Sequence, residues 1–309
     1  MVIRLVKVVV VGGGWAGCGA AMAAKKAGAE VTLLEKTDEL LGCGLVGGYV
    51  NSNGRYTAAE EAKFLGGGEL FEAMDSVTLH RNVDIPGHMH GTCYNVLVIE
   101  PVVKRILEEA GIDIRFRCRA VNVNKSGSRI TSVTSQEGEK FDGDSFIDCA
   151  GSAGGPDMCA KYGMGCVSCI LRCYVYGPRA SIATKAGAKE LKWIRAEGIY
   201  GAVSGSIEIH KGSLAPDVRE ELEQKGSVTI PIKTSKELAE TGEKIGKACV
   251  HLAFKEFVEN IVICDTGYGK LLWPFFPLDQ LRKVPGLENV RVVEPHGFSK
   301  GNSIRFVSM

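Results

Sequence analysis

The stretch "VKVVVVGGGWAGCGAAMAAKKAGAEVTLLEK", residues 6–36, decides the fold. Val6–Val11 is a β-branched run long enough for one buried parallel strand. The chain then turns on Gly12, Gly14 and Gly17, a GxGxxG pattern in which each glycine has its own task. The first permits a tight turn, the second lets backbone approach a pyrophosphate, and the third lets helix and strand pack closely. The Ala-rich segment from Ala16 to Ala27 reads as a helix whose first N–H groups face the phosphates, and Gly28 ends it. "EVTLLE" is a second strand closing on Glu35, an acid placed to accept hydrogen bonds from both hydroxyls of an adenosine ribose. A lone GxGxxG is weak evidence, but strand, turn, helix, strand and terminal acid in this order predict a nucleotide site.

The wider spacing carries a resemblance. Gly17, three residues, Ala21, six residues and Gly28 is similar to the ADP-binding fingerprint of flavoproteins that bind FAD. "LLGCGLVGGYVNSNGRYTAAEEAKFLGGGELFEAM", residues 40–74, resembles the loop and helix after the second strand in the FAD-dependent oxidoreductases that include the flavin subunit of heterodisulfide reductase. "VIEPVVKRILEEAGIDIRFRCRAVNVNKSGSRITSVTS", residues 98–135, reads as a helix after Pro101, a strand, and a hairpin whose turn contains Gly127. "KFDGDSFIDCAGSAGG", residues 140–155, resembles the family's second FAD signature, a buried strand ending in a small-Gly pair. The resemblance implies an α/β fold of the glutathione-reductase-like superfamily, with a Rossmann-like FAD-binding domain and a second, mixed-sheet α+β substrate domain. It implies FAD contacts at Gly12, Gly14, Trp15, Ala16, Gly17, Glu35 and Lys36, along the loop at Gly42 and Cys43, at Ala120 against the adenine edge, and at Ala150 and Gly151.

No second strand–GxGxxG–helix unit follows: "LGGGEL" at 65–70 has no preceding β-run and "TGYGKL" at 266–271 lacks the third glycine. A separate NAD(P)H domain is therefore disfavoured. Electrons are expected from a small-molecule substrate, a transient reductant or a redox partner protein. The expected division is residues 1–155 for FAD, 156–269 for the substrate or cap domain, and 270–309 as a segment returning to the FAD domain. "GLENVRVVEPHG", residues 286–297, resembles the tRNA-modifying flavoproteins of the glucose-inhibited-division type, in which a further strand, turn and helix cap the flavin. The reading from Met309 is that this cap is missing here or supplied by a partner chain. A homo-oligomer is expected.

The 309 residues carry a net charge of +1, 45% hydrophobic and 24% charged residues, with no basic stripe or like-charge run. That balance argues against nucleic-acid binding and against the flavin-dependent tRNA-modification reading. No stretch approaches the ~20 apolar residues of a membrane span, and Lys7 interrupts the first apolar run without a cleavage site after it, so a cytoplasmic location is expected. Eleven cysteines, an odd number, fit reduced thiols rather than a disulfide framework.

"YGMGCVSCILRC", residues 162–173, with Cys159 upstream, gathers four of those cysteines. Three readings stand: ligands of zinc or an iron–sulfur cluster, redox thiols beside the flavin, or small core residues. On a strand at ~3.3 Å per residue, Cys169 and Cys173 lie ~13 Å apart, too far to share a metal or a disulfide. Cys166 and Cys169, as CxxC in a loop, are the candidate redox pair, and Cys43, on the loop along the cofactor, is the third candidate catalytic thiol. No metal site is assigned. "PGHMHGTC" sets His88, His90 and Cys93 at a spacing that suits a metal, a substrate anion or a polar network. Arg172 and Arg179 suit a carboxylate or surface pairs, and Lys270, Trp273 and "PFFP" suit a pocket mouth or a packed core. An electron-transfer component of a larger complex is the alternative to a free-standing oxidoreductase.

Overall fold

A computed structural model describes residues 4–51, 60–85, 88–151, 180–188, 207–231, 260–271 and 281–293. In chain order the elements are β1 (Lys7–Val11), α1 (Trp15–Lys26), β2 (Glu30–Leu34), α2 (Cys43–Gly47), β3 (Tyr49–Asn51), α3 (Glu69–Ser76), β4 (Thr78–Ile85), β5 (His88–Tyr94), α4 (Ile99–Glu109) and β6 (Asp113–Arg115). There follow β7 (Ala120–Ser126), β8 (Arg129–Ser135), β9 (Lys140–Asp142), β10 (Ser145–Asp148), α5 (Ile182–Lys185), β11 (Ile207–Ile209), α6 (Pro216–Lys225), β12 (Ser227–Pro231), β13 (Asn260–Asp265) and β14 (Gly269–Leu271).

The chain forms two compact units. The first takes residues 1–44, 100–152 and 173–192. Its centre is a parallel sheet in the order β10-β1-β2-β6, with Val9 opposite both Thr32 and Phe146 and Leu33 opposite Ile114. Val8–Val11 are all buried, the continuous apolar run that a strand covered on both faces requires. α1 crosses between β1 and β2, and Gly28 ends it at φ +85°, a left-handed conformation that costs glycine nothing. The antiparallel meander β7-β8-β9 shares a core with the sheet, with Val133 and Phe141 packing in one cluster with Val9, Val11 and Leu34. Its hairpin turns through Gly127 at φ +61°, where the sequence places it.

The second unit takes residues 45–99, 153–172 and 193–309. It holds an antiparallel sheet in the order β11-β14-β13-β12 and a three-stranded sheet in the order β3-β5-β4. Residues 45–99 belong here rather than with the nucleotide fold because Val83, Ile85 and Cys93 share one core with Ile209, Ile261, Ile263 and Leu271. α6 starts with Pro216 in its first turn and stops at Gly226 in the left-handed region, φ +77°.

One buried acid knits this unit. Asp265 accepts from His80 Nε2 at 3.0 Å, from Lys211 Nζ at 2.9 Å and from the Gly267 N–H at 3.1 Å. A carboxylate of 4% exposure needs such partners, because an unpaired buried charge is costly.

Candidate nucleotide site

The site begins where β1 runs out. Gly12, at φ +103°, donates its N–H to the Leu34 carbonyl at 2.8 Å, which closes the turn over β2. The glycine spacing has a steric cause at two positions. A Cβ on Gly12 would lie 2.3 Å from the Cys149 carbonyl oxygen, and one on Gly17 would lie 1.8 Å from the Gly12 carbonyl oxygen. Protein fills both places. Gly14 differs, because among the described residues a Cβ there would meet nothing within 4 Å. The residue at the very start of α1 is thus bare on a side that protein leaves open.

The same helix start has no side-chain cap: Gly14 is its N-cap, and the first turn contains no acid. A helix N-terminus carries partial positive charge and N–H groups lacking helical partners, so an uncapped start beside open space suits a phosphate. Leu41 N–H donates to the Gly13 carbonyl at 2.8 Å, and Gly44 N–H to the Leu41 carbonyl at 2.6 Å, which folds the 41–44 loop onto this corner. Leu41 itself adopts φ +69°, a conformation uncommon for a branched side chain. Gly44 is fixed by contact, since a Cβ there would come within 2.3 Å of the Trp15 indole nitrogen.

Glu35 does more than its expected ribose role. Its carboxylate is buried and accepts the Gly13 N–H at 2.7 Å on Oε2, and the Thr37 N–H at 2.8 Å and hydroxyl at 2.9 Å on Oε1. It therefore clamps the glycine turn to the end of β2. Three of roughly four acceptor positions are used, leaving one on Oε2 for a ligand. Asp38, in the following loop, has Oδ1 buried with no hydrogen-bond partner among the described residues, an acceptor that a ligand hydroxyl or amine could satisfy. The Cys118 N–H donates to the Glu35 carbonyl at 2.9 Å, bringing the chain just before Ala120 to the same end of the sheet. The Ala120 side chain is itself buried in the apolar cluster, so any adenine contact it makes falls to its backbone.

The second signature arrives from β10. Cys149 N–H donates to the Val11 carbonyl at 2.7 Å, and the 149–151 turn then lies against Gly12, with Gly151 at φ +76° and open space where its Cβ would be. The fold thus brings together Gly12, Gly14, Trp15, Ala16, Gly17, Glu35, Gly42, Cys43, Ala150 and Gly151, with Lys36 half-buried beside Glu35. Sequence reasoning missed Thr37, Asp38 and Asp148, and it missed two thiols under the turn. Cys18 is fully buried with its Sγ 3.3 Å from the Gly13 carbonyl. Burial, helped by Glu35, pushes its thiol up to about 12. Cys149 is also raised, by burial and by Asp148. Thiols held neutral in this way are poor nucleophiles.

Cys43 opens α2, directly after Gly42 at φ +44°. Cys159, Cys166, Cys169 and Cys173 lie outside the described residues, as do Arg172, Arg179, Trp273 and the "PFFP" aromatics. Cys93 sits in the apolar core of the second unit, its thiol kept protonated by a hydrogen bond with Cys264 and by burial, while the side chains of His88 and His90 lie outside the described residues. Lys270 is buried rather than at a pocket mouth, and its ammonium donates to the Gly47 carbonyl. Among the described residues, no group of three or more His, Cys, Asp or Glu is arranged to hold a metal ion, and no helix is long and apolar enough to cross a membrane.

Residues 7–166, just over half of the chain, match the FAD dependent oxidoreductase family. No curated protein matches the sequence. Among solved structures the chain is similar to GidA of Aquifex aeolicus, at 14% identity and a TM-score of 0.59 over 96% of this chain and 55% of that one. It is similar at lower scores to a ferredoxin reductase of Rhodopseudomonas palustris (18% identity, TM-score 0.27, 46% of this chain and 22% of that one). The same holds for CtdE in complex with FAD (18% identity, TM-score 0.34, 46% of this chain and 37% of that one). The chain thus spans between 22% and 55% of the length of these proteins, and the GidA likeness establishes a shared fold. With a glycine turn built for a dinucleotide and this match over the segment that contains it, the chain belongs to the FAD dependent oxidoreductase family and its cofactor is FAD.

Proposed function

We propose that the chain is an oxidoreductase that moves hydride or electrons through FAD, to or from a small-molecule substrate or a redox partner protein. The carrying observation is the contrast between the glycines of one turn. Gly12 and Gly17 are bare because protein fills the space, whereas Gly14 is bare where protein leaves it open at an uncapped helix start. When bound, FAD supplies the redox chemistry through its isoalloxazine. The chain's residues supply position: α1 and the glycine turn hold the pyrophosphate, Glu35 and Asp38 face the adenosine end, and Ala120, Ala150 and Gly151 line the remaining backbone contacts. Lys36 lies beside them.

Cys43 is assigned to the flavin side because it follows Gly42 in the loop folded onto the start of α1. Cys166 and Cys169 complete the proposed thiol chemistry. Substrate contacts are assigned to the second unit, which takes residues 45–99, 153–172 and 193–309. The test is direct. The full chain is purified, its visible spectrum recorded, and the apo-protein titrated with FAD; flavin bands that bleach on anaerobic reduction and return with an electron acceptor are expected. A folded chain that neither carries nor binds FAD would refute the proposal.

A further inference from the structure

We infer that Asp148 is a positioning residue for FAD, holding the Cys149–Gly151 turn in its cofactor-contacting shape without touching the cofactor. This rests on the FAD reading above. Asp148 is the last residue of β10 and pairs with Val11 across the parallel ladder. Beyond it the chain must leave the sheet and lie against Gly12, where its backbone is so close that no side chain fits on Gly12. Backbone that irregular needs its polar groups satisfied from elsewhere.

Asp148 supplies that from both carboxylate oxygens. Oδ1 accepts the Ala150 N–H at 3.1 Å, which bends the chain back over its own side chain. Oδ2 accepts the Ser181 hydroxyl at 2.6 Å and the Ala183 N–H at 3.0 Å, at the start of α5. Ser181 is in turn the N-cap of α5, its Oγ accepting the Thr184 N–H at 3.1 Å. One carboxylate therefore ties the Ala150 turn to a segment about thirty residues further along the chain, and both belong to the nucleotide-binding unit.

The two oxygens have separable duties, and that gives the test. An Asn at 148 keeps one carbonyl oxygen and turns an NH2 toward the other set of donors. The two donors at Ser181 and Ala183 outvote the single Ala150 N–H, so the carbonyl faces α5 and the turn is released. Ser181→Ala removes one donor on the α5 side and leaves the Ala150 bond intact.

The experiment uses the full chain, stripped of flavin and titrated with FAD by flavin fluorescence, with thermal midpoints measured on the same samples. Asp148→Asn is expected to raise the FAD Kd by about 10-fold or more, while Ser181→Ala changes it by less than about 3-fold. A plain helix cap would shift the thermal midpoint in both variants and leave the two FAD affinities alike. An FAD Kd for folded Asp148→Asn within twofold of wild type would overturn the inference, and so would equal losses in the two variants. Hydrogen exchange on the wild-type apo-protein covers the case in which Asp148→Asn does not fold. A protected Ala150 amide is expected there, and exchange at the unstructured rate overturns the clamp. Failure of the wild-type chain to bind FAD would overturn the flavin reading instead, a result the exchange experiment reads separately.

Discussion

Replacing Glu35 with Gln separates two duties that the structure assigns to one side chain. The carboxylate accepts the Gly13 N–H on one oxygen and the Thr37 N–H on the other, at 2.7 and 2.8 Å. A Gln has one carbonyl oxygen for these two opposed N–H donors. Whichever way the amide turns, its NH2 points at a buried N–H and one donor is orphaned. The Thr37 hydroxyl softens nothing, since it also has the Glu39 carbonyl at 2.8 Å to receive its proton. An orphaned buried donor costs about 1–3 kcal/mol. The cost falls on the glycine turn, so amide exchange of residues 12–18 in the apo-protein should quicken roughly 5- to 150-fold through local opening. Exchange followed by mass spectrometry or NMR, without FAD present, reads this loosening apart from any loss of ribose contact. Unchanged exchange in folded Glu35→Gln, with FAD affinity alone reduced, would show that the carboxylate serves only the ligand and that the clamp argument is wrong.

Other changes follow from the same geometry. Gly14→Ala should leave the apo-protein as stable as wild type, or slightly more so, and weaken FAD binding by about 10-fold or more, since the methyl enters space that only the ligand needs. Gly17→Ala should lower apo stability as well, because its methyl would sit 1.8 Å from the Gly12 carbonyl oxygen and force α1 off the turn; paired thermal melts and FAD titrations distinguish the two. Asp265→Asn should destabilise the second unit by about 2–3 kcal/mol, the worth of a charged hydrogen bond partly lost at His80 and Lys211; denaturation of the purified variant measures it, and an unchanged midpoint contradicts the cluster's role. Cys18 and Cys118 have thiols pushed up to about 12 and about 11 in the fold, from 9.0 when free. Both stay protonated where the unfolded chain ionises, so their contribution to stability is full below pH 9 and is lost as pH rises toward 11–12. Alkylation at pH 8 should therefore spare Cys18, and rapid labelling of it in the folded chain would refute the burial argument.

The parallel sheet, α1 and the hairpin at Gly127 were legible because each rests on local signals: a β-branched run, an Ala-rich segment between glycines, and a glycine where the chain turns left-handed. The placement of residues 45–99 was not legible. It depends on Val83, Ile85 and Cys93 packing in one cluster with Ile261 and Ile263, about 170–180 residues away, which no local pattern announces. Glu35 was readable as an acid at a strand end, but its clamp on Gly13 is a tertiary fact. Asp148 carried a fainter signal, an acid at the end of an apolar strand before three small residues, and only the return of Ser181 to its side shows what it does. Lys270 was open between a pocket mouth and a packed core because a lysine near aromatics suits either, and a backbone carbonyl receives its ammonium in the interior.

The division of the nucleotide-binding unit among residues 1–44, 100–152 and 173–192 bears on how the protein is made. A ribosome emits the GxGxxG turn before β6 and β10, which flank β2 and β1 in the sheet, and the Ser181 hydroxyl that completes the Asp148 network comes later still. At about 5–20 residues per second, roughly 10–40 s of synthesis separates the first strand from the last contact of its unit. Throughout that interval the apolar strand Val8–Val11 lacks its final neighbours, and the cofactor has no finished cradle to enter. Flavin loading is accordingly a late event in the life of the nascent chain, and the early strand is the segment for which a chaperone would have reason to wait.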